Sequence, residues 1–272
     1  MSFDLSPESL DREFPVRRSL VYLNHAAVAP LPRRVADAMQ AYVENVRDRG
    51  AADWRRHFAA IDTTREKAAR LVGAAPGEIA FLPNTSWCAN LVALAFPWSE
   101  GDNVVTDDME FPSNAWPWRA LEARGVECRI AASREGRVTA DDVAARIDAR
   151  TRLVAVSWVA FHNGWVYPLE EIGALCRERG ILLFVDAIQG LGALEMDAPR
   201  MGVGVLAADS HKWLSGPRAG RSSTSRKRRA TACPRSWAGG GASATRAATS
   251  PAARNSTTAR GATSPARSPW TT

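Results

Sequence analysis

Hydrophobic residues fall into short continuous runs along the first 217 positions, and amphipathic stretches separate these runs. A continuous apolar run is typical of a strand that is buried on both faces of a parallel sheet. Strands are therefore predicted at residues 78–82, 102–106, 126–130, 153–157, 181–186 and 203–208.

Helical spacing marks the stretches between and before these runs. Within residues 32–49, Val35, Met39, Tyr42 and Val46 recur three or four positions apart and define one apolar face. Further helices are predicted at residues 54–72 and from residues 85, 139 and 168 onward. Strands that alternate with helices predict an α/β fold, in which helices flank a mostly parallel sheet.

Two segments fall outside this alternation. Residues 1–20 are polar and are predicted to form an N-terminal arm, with a short strand-like piece following at 21–27. Residues 218–272 lack Leu, Ile, Val, Phe, Tyr and Met entirely. Such a segment cannot bury enough apolar surface to offset the entropy lost on ordering, so it is predicted to be a disordered basic tail. One domain, at residues 21–217, is expected between the arm and the tail.

The basic charge of the chain comes from this tail. The whole chain has a formal net charge of +6, but residues 218–272 contribute 11 Lys and Arg and no Asp or Glu. Residues 1–217 are therefore mildly acidic. The basic cluster at 226–229 is short and has no interleaved aromatic residues, so nucleic acid is not favoured as a partner. A tail that binds nucleic acid or an acidic partner is the alternative interpretation.

Cysteine spacing and hydropathy narrow the class of protein. Cys88, Cys128, Cys176 and Cys233 are far apart and form no C-x-x-C pair, which predicts neither a disulfide framework nor a metal site. The first residues lack the layout of a signal peptide, and no apolar run approaches the length of a membrane span. A soluble, cytoplasmic protein without membrane contact is expected.

Lys212 is the first candidate for chemistry. It follows an apolar run and precedes a Trp, with a Gly and a Pro shortly after, whereas Lys67 lies in a charged helical stretch. A lysine held against apolar surface has a lowered pKa, because burial disfavours its ammonium form, and it becomes a usable nucleophile. The alternative interpretation is a lysine that simply follows a strand.

Asp186 strengthens the chemical interpretation of Lys212. It ends an apolar run, and ligands of open α/β sheets gather outside the carboxyl ends of strands. A carboxylate at that depth needs a partner, because an unpaired buried charge is costly. A protonated pyridine nitrogen is a suitable partner, so Asp186 and Lys212 together suggest pyridoxal 5'-phosphate (PLP) as cofactor.

With these two residues in place, the sequence resembles the class V aminotransferases of the fold type I PLP enzymes. This family includes cysteine desulfurases, selenocysteine lyases, kynureninase and isopenicillin N epimerase-like proteins. The resemblance covers residues 21–217 and implies a PLP-binding large domain in which Lys212 forms a Schiff base and moves the Cα proton of an amino-acid substrate. It further implies cofactor contacts for Thr85, Ser86, Phe111, Asp186, Gln189, Ser210 and His211.

Several positions refine or depart from the family pattern. Phe111 stands where desulfurases have a histidine on the pyridine ring, which favours the epimerase-like branch. Phe161 stands where desulfurases have a ring-contacting asparagine, so Asn163 is expected to take over that contact. Asp209 occupies the place of a phosphate-binding hydroxyl, which Ser210 is expected to supply. His25 is either a catalytic group or a hydrogen-bonded structural histidine.

The resemblance also bears on assembly and completeness. The N-terminal helices of the family contribute to dimer contacts, so a homodimer is expected. A substrate-binding arginine and the desulfurase cysteine would lie in a C-terminal domain that this sequence is expected to lack, and a reading-frame change after Pro217 is one hypothesis for that loss. Aminotransferase, epimerase and desulfurase or lyase chemistry all remain open, as does an inactive fragment.

Overall fold

The computed structural model describes residues 4–217 and a further strand at 221–225. Seven strands form one sheet in the order β1-β7-β6-β5-β4-β2-β3. Their bounds are β1 Ile79–Ala80, β2 Asn103–Asp107, β3 Glu127–Ala131, β4 Thr151–Ser157, β5 Leu182–Asp186, β6 Val205–Asp209 and β7 Arg221–Ser225. Strands β2 to β6 pair in parallel, and β7 runs antiparallel to both β6 and β1.

Seven α-helices accompany the sheet in the described part of the chain. They are α1 Pro7–Glu13, α2 Arg33–Arg49, α3 Trp54–Val72, α4 Thr85–Ala95, α5 Pro112–Arg119, α6 Ala140–Ala144 and α7 Leu169–Arg179. Short 3-10 helices lie at Pro15–Arg18, Pro76–Glu78 and Ala120–Arg124. None of the helices among the described residues is long and apolar enough to cross a bilayer. The predicted α/β fold with a mostly parallel sheet flanked by helices is confirmed.

The two hydrophobic cores explain why the strand-forming runs are continuous. Val154 and Leu183 face one core, whereas their neighbours Leu153 and Phe184 face the other. All four side chains are almost fully buried. Because successive side chains of a strand point to opposite faces, helices on both faces of the sheet require an apolar residue at every position.

Three segments differ from the sequence-based expectation. The N-terminal arm contains α1 and a 3-10 helix. The piece at 21–27 is not a strand: Val21 is 90% exposed, and the N–H of Ala27 donates to the carbonyl of Asn24 in a turn. Strand β7 forms inside the predicted tail, since a sheet ladder uses backbone groups that every non-proline residue carries. The tail prediction for residues 218–220 and 226–272 lies outside the described residues.

The sheet brings polar side chains to one edge. Asp107, Ser157, Asp186 and Asp209 are the last residues of β2, β4, β5 and β6, and all four are buried. These strands are neighbours and run in parallel, so their carboxyl ends lie side by side. This edge is where an open α/β sheet binds ligands.

Candidate active site at the carboxyl edge of the sheet

Asp186 is a buried carboxylate near the centre of this edge. Its side chain belongs to a residue that is 4% exposed, and Oδ1 accepts a hydrogen bond from the N–H of Ile188 at 3.0 Å. Burial raises the pKa of Asp186 to about 6, while the Ile188 N–H and the charge of Lys212 act to lower it. The site therefore holds a carboxylate whose charged form needs cationic support.

Lys212 lies in the loop that follows β6 and is half-buried. Burial lowers the pKa of Lys212, and the carboxylates of Asp186 and Asp209 act in the opposite direction. The Lys212 amine is therefore partly shielded from solvent, and its role as a nucleophile stays a prediction. An amine with a lowered pKa is deprotonated more often at neutral pH and is a better nucleophile.

The loop that carries Lys212 closes on itself. The N–H of Ser215 donates to the carbonyl of Lys212 at 2.9 Å, and the N–H of Gly216 donates to the carbonyl of Ser210 at 2.7 Å. The Ser210 hydroxyl donates to the carbonyl of Pro217 at 2.9 Å. A Cβ on Gly216 would lie 2.6 Å from the Cβ of Ser210, so this close approach requires glycine. The Ser210 hydroxyl thus stabilises the loop.

Gln189 joins three parts of the chain. Its Nε2 donates to the carbonyl of Ala26 at 3.0 Å, and its Oε1 accepts from Nε1 of Trp213 at 3.2 Å. His25 stacks on Trp213 with ring centroids 5.5 Å apart and an interplanar angle of 18°. The contacts of Gln189 therefore hold the turn around residues 24–27 against the lysine loop. Trp213, which the sequence did not single out, contacts both Gln189 and His25 and so lies at the centre of this group.

His211 adds a further link between the same segments. Its carbonyl accepts the N–H of Ala29 at 2.8 Å. Its Nδ1 lies 3.8 Å from Oδ2 of Asp209, and its side chain is 12% exposed. The imidazole predicted to contact the cofactor is therefore positioned beside an acid at the end of β6.

The start of α4 is the expected anion site. Thr85 is the buried first residue of the helix, and the Asn84 side chain caps the helix by accepting the N–H of Trp87 at 2.9 Å. The N–H of Thr85 donates to the carboxylate of Asp209. Burial raises the pKa of Asp209 to about 6, while this hydrogen bond and the charge of Lys212 act to lower it. Ser86 follows directly, so both predicted hydroxyl residues lie in the first turn of the helix.

Phe111 and Asn163 are placed differently from each other. Phe111 precedes α5, is 48% exposed and packs edge-to-face on Phe161 at 5.1 Å between centroids. Asn163 donates through Nδ2 to the carbonyl of Gly136 at 2.7 Å and accepts the N–H of Trp165 at 3.0 Å. Phe111 thus presents an accessible aromatic face, whereas the Asn163 side chain links its own loop to Gly136, 27 positions away. The cofactor contact expected of Asn163 stays a prediction.

Sequence reasoning missed a buried acid pair beside Asp186. The Glu110 carboxylate accepts hydrogen bonds from both the N–H and the hydroxyl of Ser157. The hydroxyl of Tyr167 donates to Oδ1 of Asp107 at 3.0 Å. Burial raises the pKa of Asp107 to about 6 and that of Glu110 well above its usual value, and the charge of Asp107 adds to the rise at Glu110. The sequence signal that could have revealed this pair is the presence of Asp107 and Glu110 just after the apolar residues of β2.

Comparison with known proteins gives one family and many relatives. The family model described as "Aminotransferase class-V" matches residues 21–261. A "Probable cysteine desulfurase" of Methanothermobacter thermautotrophicus is 35% identical over 215 residues, which cover 77% of this chain and 54% of that protein. The "Uncharacterized aminotransferase YcbU" of Bacillus subtilis is 29% identical over 210 residues, which cover 77% of this chain and 56% of that protein. The chain thus spans about half the length of these curated relatives.

Solved structures agree with the fold. The apo structure of a cysteine desulfurase from Thermococcus onnurineus NA1 matches with a TM-score of 0.76 and 27% identity, covering 84% of this chain and 58% of that one. The cystine C-S lyase C-DES, in complex with its product cysteine persulfide, matches with a TM-score of 0.74 and 26% identity, covering 79% of this chain and 59% of that one.

Proposed function

This chain belongs to the class V aminotransferase family, and from that membership we propose that it binds PLP through Lys212 and Asp186 and acts on an amino acid. The single observation that carries the proposal is the pairing of a buried acid and a half-buried amine within electrostatic reach of each other at the carboxyl edge of the sheet. Family membership indicates PLP as the cofactor. Asp186 is the proposed partner of its ring nitrogen, and Lys212 is the proposed partner of its reactive carbon.

The residues fit PLP at its ring nitrogen and at its reactive carbon. Asp186 offers a buried carboxylate that needs a cationic partner, which a protonated pyridine nitrogen provides. Lys212 offers an amine whose pKa is lowered by burial. At the phosphate end, Thr85 and Ser86 open α4, but the Thr85 N–H already donates to Asp209. The proposed phosphate site therefore contains the carboxylate of Asp209 in addition to the hydroxyl and N–H donors of Thr85 and Ser86.

PLP, when bound, supplies an electron sink for negative charge that develops at the Cα of an amino acid. Asp186 would keep the ring nitrogen protonated, because its buried carboxylate is most stable beside a positive charge. The free amine of Lys212 accepts the Cα proton and later returns a proton. Phe111 would offer the ring an aromatic face that carries no proton. His211 and the loop closed by Ser210 keep the lysine in position.

The proposed substrate is an amino acid. Cysteine desulfuration is a candidate reaction beside transamination and epimerisation. It is favoured by the names of the cysteine desulfurase of Methanothermobacter thermautotrophicus and the C-S lyase C-DES. Phe111 stands where desulfurases have a histidine, and a phenylalanine cannot donate a proton to a group over the ring. Aminotransferase and epimerase chemistry therefore stay open. Sulfide release from cysteine and cystine, measured beside transamination and racemisation with a panel of amino acids, separates these reactions.

A homodimer is the proposed assembly. Helix α2 has no buried residue in the described part of the chain, although Met39, Tyr42, Val43 and Val46 form an apolar stripe along it. Each of these side chains is between 41% and 64% exposed. A stripe of this kind is typical of a surface that packs on another protein chain, and the family forms dimers.

The visible absorption spectrum with PLP, before and after borohydride, tests the proposal. A yellow band that borohydride removes, with the resulting adduct mapped to Lys212, is the expected result. Lys212→Ala should abolish the band, whereas Lys67→Ala, the matched control in the solvated helix α3, should keep it. Folded protein without a band, or an adduct at Lys67, would contradict the proposal and leave an inactive fragment as the better description.

A further inference from the structure

We propose that Asp209 makes phosphate binding at the start of α4 depend on one proton, so that the phosphate group and a proton bind together. This inference rests on the proposed function, because it concerns the phosphate of the same cofactor. It assigns to Asp209 the role of a specificity-determining residue that sets how strongly a phosphorylated ligand binds at a given pH.

The geometry places two negative groups in competition for one position. Asp209 is the last residue of β6 and Thr85 is the first residue of α4. The free N–H groups and the dipole at the start of a helix favour an anion, and the Asp209 carboxylate already accepts the Thr85 N–H. A phosphate group that binds there competes with the Asp209 carboxylate for the N–H of Thr85.

Oδ1 of Asp209 indicates how a phosphate group and the carboxylate can occupy this position together. The Asp209 side chain is 8% exposed, and its Oδ1 is buried without a hydrogen-bond partner among the described residues. A buried oxygen of this kind is stabilised by a donor, since unmade hydrogen bonds in the interior are costly. A proton shared with a phosphate oxygen provides that donor and removes the repulsion between two like charges, as in other pairs of adjacent acids.

The charged groups around Asp209 decide the pH at which the proton is held. The charge of Lys212 favours the carboxylate form, Asp186 at the end of β5 disfavours it, and the His211 imidazole lies 3.8 Å from Oδ2 of Asp209. Burial raises the pKa of Asp209 to about 6 even before a phosphate approaches. Above that pH the free protein has no proton on Asp209, so binding takes up one proton and weakens as the pH rises.

The test uses ligands that cannot react with Lys212. Pyridoxine 5'-phosphate and pyridoxine differ only in the phosphate group, and neither has an aldehyde. Their dissociation constants are measured by calorimetry between pH 6.5 and 8.5 for the full chain. The affinity for the phosphorylated ligand, relative to pyridoxine, should fall by about tenfold per pH unit, as expected for uptake of one proton.

Variants separate Asp209 from general charge effects. Asp209→Asn should flatten this slope and bind pyridoxine 5'-phosphate at least about tenfold more tightly at pH 8, because the like charge is gone. Asp209→Ser serves the same purpose if the amide variant does not fold. Asp141→Asn removes one charge from an exposed position on α6 and should keep the slope of the unmodified chain.

The outcomes separate this inference from the proposed function. Equal slopes in the unmodified chain and the Asp209 variants, with a PLP adduct still formed on Lys212, would overturn the role of Asp209 and leave the proposed function standing. No binding of PLP or pyridoxine 5'-phosphate to any folded variant would overturn the proposed function itself. If both Asp209 variants are unfolded, proton uptake by the unmodified chain decides, measured from calorimetry in buffers of different ionisation enthalpy: zero uptake contradicts the inference.

Discussion

The hydroxyl of Ser157 donates a hydrogen bond to Oε2 of Glu110 at 2.7 Å, and the Ser157 N–H donates to the other oxygen of the same carboxylate. Ser157 ends β4, and Glu110 follows β2, so the contact joins two neighbouring strand ends. Glu110 in turn lies within electrostatic reach of Asp107 and Asp186. The carboxyl edge of the sheet thus concentrates buried acids whose ionisation is coupled to folding.

The free energy of unfolding should therefore decrease as the pH rises from about 4.5 to 7.5. The pKa values of Asp107 and Asp186 are raised to about 6, and that of Glu110 is raised well above 4.5. A group whose pKa is raised by folding contributes stability below its unfolded pKa and loses that contribution as the pH passes the folded value. Asp107 and Asp186 each contribute on the order of 2 kcal/mol to the difference, and Glu110 acts in the same direction.

Urea unfolding at pH 5 and pH 7.5 measures this difference. Glu110→Gln removes one of the titrating acids while keeping a side chain that bonds to Ser157, so it should reduce the difference between the two pH values. Asp141→Asn, on the exposed side of α6, should leave the difference as it is. A stability that increases over this pH range would contradict the assignment of these acids.

The reactivity of Lys212 should depend on Asp186. The carboxylates of Asp186 and Asp209 raise the pKa of Lys212, against the effect of burial. Asp186→Asn should therefore lower the pKa of this amine further and increase its labelling by acetic anhydride at pH 7 by several-fold. Mass spectrometry reads the labelling, with Lys67 in the same sample as internal reference. Slower labelling of Lys212 in the folded variant would argue against the electrostatic coupling.

The proposed dimer should be sensitive to charge on one face of α2. Val43 is 64% exposed, so Val43→Glu costs little in the monomer but buries an unpaired charge if the stripe packs on a second copy. The molar mass from light scattering should then fall to that of a single chain. Ala41→Glu adds the same charge on the opposite side of the helix and should leave the mass unchanged. Equal masses for both variants would exclude this stripe as the dimer contact.

Gly173 should be intolerant of any side chain. A Cβ at this position of α7 would lie 1.9 Å from the carbonyl oxygen of Met201, which is backbone and cannot rotate away. Gly173→Ala should lower the free energy of unfolding by about 1–3 kcal/mol or more, as other overpacked cores do. Gly77→Ala is the matched control, because nothing lies within 4 Å of its Cβ, and it should change stability by less than about 1 kcal/mol. Chemical denaturation of both variants makes the comparison.

The outcome at Gln189 and Asn163 shows where local sequence reasoning stopped. Both were assigned cofactor contacts by resemblance. In the structure Gln189 contacts Ala26, 163 positions away, and Trp213, and Asn163 contacts Gly136, 27 positions away, as well as Trp165. An amide side chain takes whichever partners the fold brings near it, and a sequence does not state those partners. The predicted strand-like piece at 21–27 was wrong for the same reason, because no strand edge among the described residues pairs with it.

The sequence by itself determined most of the parallel strands and the edge of the sheet where the candidate site residues meet. Continuous apolar runs require strands covered on both faces, helical periodicity predicts α2, and the parallel arrangement puts Asp186 and the Lys212 loop at one edge. The tertiary structure decided which strand ends are neighbours. The order of β6, β5, β4 and β2 brings the Asp209 carboxylate to α4 and Ser157 to Glu110, and these contacts depend on distances between segments that are remote in sequence, which no local pattern encodes.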